Sequence, residues 1–328
     1  MVTNQLPKSF AFVNSFKRYS GNPILHPQGA LAADCIFNPG AVATKSGVEM
    51  LCRCINFKEM PKGFNWSVSS LVFAHSQNGF DFTLQNKPFL TVGNSCYQGG
   101  FEDPRLVFLP EEGLYALSYT GVYNYSKTVG MLALSKNLVD WDFLGECLPG
   151  RAIAITDRRI NGEYYAYFGN SSIFLAHTKD LKNWVVEETP AISPRPNLFD
   201  NFLCEAVAAL IINNDGILLL YNGAATGKFN DTIAHNMVNE TGERVYGFRG
   251  KHAPCCYSIG WALFERNNPA KLIARSTEPI LTPQLPYECY GIAPYTVFGN
   301  ALVNFNGRWI LYYGCADSRI AAAVSDPV

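Results

Sequence analysis

Five times along this chain a turn glycine opens a short apolar, aromatic-rich run that leaves through small or polar residues. The copies are GVEMLCRC (47–54), GLYALSYTGV (113–122), GEYYAYFGNS (162–171), GILLLYNGAA (216–225) and GRWILYYGCA (307–316). Each is followed by a second strand-like run: SSLVFAHS (69–76), VGMLALS (129–135), SIFLAHT (172–178), YSIGWALF (257–264) and SRIAAAVS (318–325). No stretch keeps an apolar stripe at helical spacing for three turns, whereas β-rich runs bounded by Gly, Asn, Asp and Pro occur throughout. Two strands cannot cover both their faces, but five such units arranged radially can. The expected fold class is therefore all-β, a five-bladed β-propeller formed as a single domain over residues 1–328. The turn glycines are 66, 49, 54 and 91 residues apart. The widest gap holds a flap-like insertion at about 225–256, rich in Gly, Asn and charge.

Composition narrows the function. With 26 Lys+Arg against 27 Asp+Glu, the chain lacks the basic excess of a nucleic-acid binder. Its 48% hydrophobic content is ample for a large core, so disorder is excluded. No apolar run reaches the ~18 residues of a membrane span, and the first residues lack the basic-then-apolar order of a secretory signal. A cytoplasmic location is expected, or a periplasmic one if such a signal has been removed. The ten cysteines show no C-x-x-C spacing and read as buried thiols rather than a disulfide or zinc framework. The ligand expected is neutral and rich in hydroxyls. The strand exits would meet it with Arg53, Tyr119, Asn170, Asn222 and Asp317.

The strongest local signal is Gly99-Gly100-Phe101-Glu102-Asp103-Pro104-Arg105. Proline fixes its own φ and biases the preceding residue toward extended geometry, which would hold the Asp103 carboxylate stiffly at a channel rim. Arg105 beside it can pair with an acid or a ligand hydroxyl.

This segment, with Asn22-Pro23-Ile24-Leu25, Phe37-Asn38-Pro39-Gly40-Ala41 and Leu51-Cys52-Arg53 upstream, resembles glycoside hydrolase family 130, the inverting β-mannoside phosphorylases and β-mannosidases. The C-terminal third is similar too, through Ile259-Gly260-Trp261-Ala262-Leu263, Pro279-Ile280-Leu281-Thr282-Pro283, Tyr287-Glu288 and Tyr312-Tyr313-Gly314-Cys315-Ala316-Asp317. The resemblance implies a five-bladed propeller with Asp103 as the catalytic acid, delivering its proton through the 3-hydroxyl of the sugar. It also implies Asn38, Arg53, Arg105 and Asp317 as sugar-holding residues, with Asn222 and Glu288 as further candidates. The partners implied are a β-mannoside oligosaccharide or a small glycoside, with no nucleic acid or membrane. A homo-oligomer is compatible with the sequence, and neither a metal nor an organic cofactor is implied.

An inverting enzyme needs an attacking group opposite the leaving group. Phosphate brings its own charge and needs a cluster of bases, whereas water needs a carboxylate. The phosphorylases that this chain resembles commonly carry a His in a Tyr-His-Gly setting, an Arg at the end of the third unit and a Lys about twenty residues before the His. Here the corresponding stretches are Tyr221-Asn222-Gly223, Phe168-Gly169 and Phe202-Leu203-Cys204-Glu205. The sequence therefore leads to an inverting hydrolase of β-mannosidic linkages, with Glu205 as general base; the resemblance implies the β-1,2 linkage for hydrolytic members. The alternative is a phosphorylase that uses inorganic phosphate as co-substrate, with Arg151 and His252 holding the anion. The insertion adds Lys228, His235, Arg244, Arg249 and Lys251 to that count. A non-catalytic sugar-binding propeller is a third possibility. Fructan- and arabinan-cleaving propellers would need an acid early in the first unit, where Asn38-Pro39-Gly40 stands and Asp34 lies four residues before.

Overall fold

The computed structural model describes residues 2–27, 33–56, 68–93, 95–124, 127–208, 210–226 and 255–327. They are all-β. A two-residue strand, β1 (Lys17–Arg18), is followed by β2 (Cys35–Thr44), β3 (Gly47–Ile55), β4 (Ser69–Ser76) and β5 (Thr83–Leu84), then β6 (Gly100–Leu109), β7 (Leu114–Tyr123), β8 (Lys127–Ser135) and β9 (Trp141–Pro149). Next come β10 (Ala154–Ile155), β11 (Tyr164–Phe168), β12 (Phe174–Thr178) and β13 (Val185–Val186), then β14 (Leu203–Ala206), β15 (Ile211–Asn213), β16 (Gly216–Ala225), β17 (Cys256–Glu265) and β18 (Asn268–Arg275). The short helix α1 (Pro286–Cys289) precedes β19 (Val297–Phe305), β20 (Arg308–Cys315) and β21 (Arg319–Val324).

These strands form four sheets, ordered β2-β3-β4-β6-β7-β8-β9 with β5 on β4, β10-β11-β12-β13, β14-β16-β17-β18 with β15 on β16, and β1-β21-β20-β19. In the largest sheet two antiparallel meanders meet at one parallel pair, Ser69 with Gly100. The described residues thus contain five antiparallel meanders in chain order. The recurring glycines have a direct cause: Gly47, Gly113, Gly162, Gly216 and Gly307 all have positive φ, from +63° to +147°, where a side chain is strained. Each opens the second strand of its meander, so the sequence repeat is one strand out of phase. The preceding strands β2, β6, β10, β14 and β19 lie at the start of each meander, and Asn38, Asp103, Glu205 and Asn300 are on them.

Apolar side chains between neighbouring meanders make the core. Leu218, Leu220, Ile259, Trp261, Leu302, Leu311 and Tyr313 fill one interlayer, and Ile36, Met50, Val72, Val303, Ile310 and Tyr312 fill another. The first residues complete the last sheet: β1 pairs with β21, and the Asn22 amide exchanges two hydrogen bonds with the Ala322 backbone, at 2.8 and 2.9 Å. The expectation of buried thiols holds at Cys35, Cys52, Cys54, Cys204, Cys256, Cys289 and Cys315. Among the described residues no helix is long and apolar enough to cross a membrane.

Candidate active site

Three of the meander-opening strands break register at a polar residue. The β2–β3 ladder skips from Phe37 to Gly40, the β6–β7 ladder from Glu102 to Arg105, and the β19–β20 ladder from Gly299 to Ala301. The skipped residues include Asn38 and Asp103, which have φ of 45° and 46°. Asp103 is therefore not extended as its following proline suggests. It sits in a β-bulge in the left-handed region, a strained conformation that re-aims a side chain out of the alternating pattern. Asn300 ties the bulges together: its amide donates to the carbonyls of Asn38 (3.1 Å) and Pro104 (2.8 Å). The close approach of β2 and β6 needs Gly40, where a Cβ would lie 2.6 Å from the Pro104 carbonyl oxygen.

Charged groups from three meanders and from the link between β9 and β10 meet at the bulges. Asp103, 1% exposed, accepts from the Asn38 amide (2.9 Å), from Arg53 (3.0 Å) and from Arg151. Glu102 accepts from the same two guanidiniums, Arg53 at 2.5 Å and Arg151 at 2.9 Å. Arg53 is further held by Ser69 at 2.9 Å and lies over the Phe37 ring. Arg151 reaches the other way as well, with Nε 3.4 Å from Oε1 of the buried Glu205. Arg105 straps the arrangement from below, donating to the carbonyls of Asp103 (2.9 Å) and Ala206 (2.8 Å).

The electrostatics separate the carboxylates. Burial pushes the Asp103 carboxyl up, but the guanidiniums of Arg53, Arg151 and Arg105 with the Asn38 amide outweigh it and hold the group well below the usual carboxylate range. Glu205 moves the opposite way: its burial outweighs Arg151 and Arg105, and its carboxyl is raised. Asp317, in the left-handed turn between β20 and β21, is pushed up to about 6, by burial first and by the charges of Asp103 and Glu102, against Arg53. The split runs opposite to the roles that the resemblance implies: Asp103, the implied acid, is held charged, and Glu205, the implied base, is shifted toward its protonated form. Among the described residues, Oδ1 of Asn38 is buried without a hydrogen-bond partner, and Oε1 of Glu205 and Nε of Arg151 make no hydrogen bond beyond their mutual ion-pair contact at 3.4 Å. No group of three or more His, Cys, Asp or Glu among the described residues is placed to hold a metal.

The family model for β-1,4-mannooligosaccharide phosphorylases, glycoside hydrolase family 130, matches residues 30–326. The chain belongs to glycoside hydrolase family 130. Two curated members from Thermoanaerobacter sp. (strain X514) align over 94% of this chain and 96% of their own. They are a 1,2-β-oligomannan phosphorylase at 29% identity and a β-1,2-mannobiose phosphorylase at 28%. A solved structure, described as showing that this family of mannoside phosphorylases contains glycoside hydrolases that target β-1,2 mannosidic linkages in Candida mannan, is 28% identical. It superposes with a TM-score of 0.81 over 99% of each chain.

Within this family 130 chain, Asn38, Arg53, Asp103, Arg151 and Glu205 converge, with Asp317 beside them, and the other candidates divide. Asn222 is fully buried, its amide donating to the Gly299 carbonyl (2.9 Å) and accepting from the Gly299 N–H (2.7 Å), so both its polar ends are used in joining β16 to β19. Glu288 accepts from Arg18 (2.7 Å), Tyr313 (3.0 Å) and the N–H groups of Gln284 and Leu285, which makes it the staple of α1 and the N-terminal segment. Arg105 spends both terminal nitrogens on backbone carbonyls and positions the strands. In this structure all three serve the fold: Asn222 and Arg105 bond to backbone groups, and Glu288 bonds to backbone N–H groups and to the side chains of Arg18 and Tyr313. Tyr119 is a core residue, while Asn170 is exposed. Arg158 and Arg159 pair with Asp157 and Glu112 at the surface. His252, Lys228, His235, Arg244, Arg249 and Lys251 lie outside the described residues. Glu102, Ser69 and Asn300 were not singled out by sequence. Asn300 leaves one trace, a polar residue in the apolar run VFGNALV.

Proposed function

We propose that this protein cleaves β-mannosidic bonds, of β-1,2 linkage, with inversion and transfers the mannosyl group to inorganic phosphate. The five meanders are read as the blades of one five-bladed propeller, with the Asp103 cluster at its axis. The observation that carries the reading is the buried Asp103, held by Asn38, Arg53 and Arg151 at the meeting of three bulges, in a chain whose full-length curated relatives are mannoside phosphorylases. Asp103 protonates the glycosidic oxygen by way of the sugar 3-hydroxyl, and Asn38, Arg53 and Asp317 hold that sugar. As the C1–O bond breaks, a phosphate oxygen bonds to C1 from the opposite face. The products are α-mannose 1-phosphate and the shortened saccharide. Arg151, which reaches from Asp103 toward Glu205, supplies positive charge on the acceptor side; His252, the further anion-binding candidate that the sequence offers, lies outside the described residues.

Hydrolysis is the second reading, and one observation favours it. Glu205 is buried in the cluster, its Oε1 without a hydrogen bond and held only by the 3.4 Å ion-pair contact with Arg151, and is suited to take a proton from water attacking C1. The described cluster also holds four carboxylates, Glu102, Asp103, Glu205 and Asp317, against three guanidiniums. Incubation with β-1,2-mannobiose, with and without phosphate, separates the two. Phosphate-dependent release of mannose 1-phosphate is expected; equal release of free mannose in both arms would establish the hydrolase.

A further inference from the structure

Glu102 has no part in the chemistry above, yet it binds the same two guanidiniums as Asp103. Arg53 spans the pair with Nη2 on Glu102 at 2.5 Å and Nη1 on Asp103 at 3.0 Å, and Arg151 contacts both carboxylates through Nη2. In a regular strand neighbouring side chains point to opposite faces, so these two acids would be separated. The bulge after Glu102 turns both toward one pair of arginines. Two adjacent carboxylates in one buried spot repel, and a fold keeps such a pair only where both are engaged. The other charged groups facing Glu102 are Asp317 from the β20–β21 turn and, beyond Arg151, Glu205 from β14.

A carboxylate gripped by two guanidiniums keeps its charge, but an acid must carry a proton in the substrate complex. When Asp103 is protonated, Arg53 loses one of its two paired carboxylates and Arg151 one of its three. Glu102 has one oxygen on each of them. Resting on Asp103 as the acid, we propose that Glu102 is a positioning residue: it keeps both guanidiniums neutralised and in place through the protonated state of Asp103, so that this acid can gain and release a proton without the cluster coming apart. With Glu102 made neutral, Arg53 would depend on Asp103, and Arg151 on Asp103 and the more distant Glu205, so Asp103 would surrender its proton more readily.

The test is the pH dependence of kcat for Glu102→Gln and Glu102→Asp on two substrates, β-1,2-mannobiose and an aryl β-mannoside whose leaving group departs without a proton. Glu102→Gln is expected to slow mannobiose cleavage about tenfold or more near neutrality and to move the alkaline limb down by about one pH unit. The aryl mannoside should stay within about threefold, because it does not need the acid. Glu102→Asp, which keeps the charge, should return the limb to its wild-type position. Equal slowing of both substrates with an unmoved limb would mean a merely structural role and overturn the inference. So would a Glu102→Gln enzyme as fast as wild type on mannobiose. Wild-type protein inert on every β-mannoside would remove the proposed function itself, and this inference with it.

Discussion

Asp103 and Asp200 are both buried aspartates gripped by two arginines, yet their surroundings are finished differently. Asp200 accepts from Arg195 (2.7 Å), Arg275 (2.5 Å) and the Tyr221 hydroxyl (2.7 Å). The arginines there spend their remaining donors on Ser276, Ser193 and Tyr221. No buried side-chain atom of that group lacks a hydrogen bond among the described residues, whereas around Asp103 the side chains of Asn38, Arg105 and Asn300 each leave one atom unbonded, and Arg151 and Glu205 face each other at 3.4 Å without a hydrogen bond. A satisfied buried network rigidifies, and a partly satisfied one costs stability unless something binds to it. The Asp200 cluster thus stitches strands β14, β16 and β18 to the 193–200 segment, and the Asp103 cluster is left open for a ligand.

The largest expected effect lies at Asp103. Asp103→Asn keeps size and much of the hydrogen bonding but carries no transferable proton, so mannobiose turnover should fall about 10²–10⁴-fold while calorimetry still detects sugar binding. A variant that turns over at the wild-type rate would remove the acid assignment. At the other cluster the contrast should invert. Asp200→Asn leaves the buried Arg275 and the half-buried Arg195 without a counter-charge, and unfolding in urea should show a loss of about 3–5 kcal/mol. Turnover per folded molecule should change by less than about threefold, since the cluster has no part in the chemistry. If Asp200→Asn instead lost activity while keeping its stability, the division between the clusters would be misdrawn.

How legible these clusters are in the sequence follows from what their residues touch. Asp103 and Arg53 stand in motifs, and the turn glycines announce the meanders because positive φ leaves few other residue types. Glu205 is visible as an acid directly before an apolar strand. What the sequence hides is backbone detail. Proline after Asp103 argues for extended geometry, and the bulge overrides that preference because packing of β2, β6 and β19 fixes the bend. Asn222 and Glu288 look like ligand groups in sequence, but their partners are backbone N–H and carbonyl groups and an arginine 270 residues away. The Asp200 cluster draws on side chains up to 80 residues apart, and no local pattern reports it.

Glu205→Gln tests most directly whether the open cluster trades stability for chemistry. Burial raises the Glu205 carboxyl, so its contribution to stability is present while it is protonated and is lost as pH rises through its folded value. The neutral variant should therefore melt about 1–3 °C higher than wild type, with a larger gain at about pH 8 than at about pH 5. A variant that melts lower than wild type at both pH values would show Glu205 to be an ordinary structural ion-pair partner of Arg151, contradicting the account.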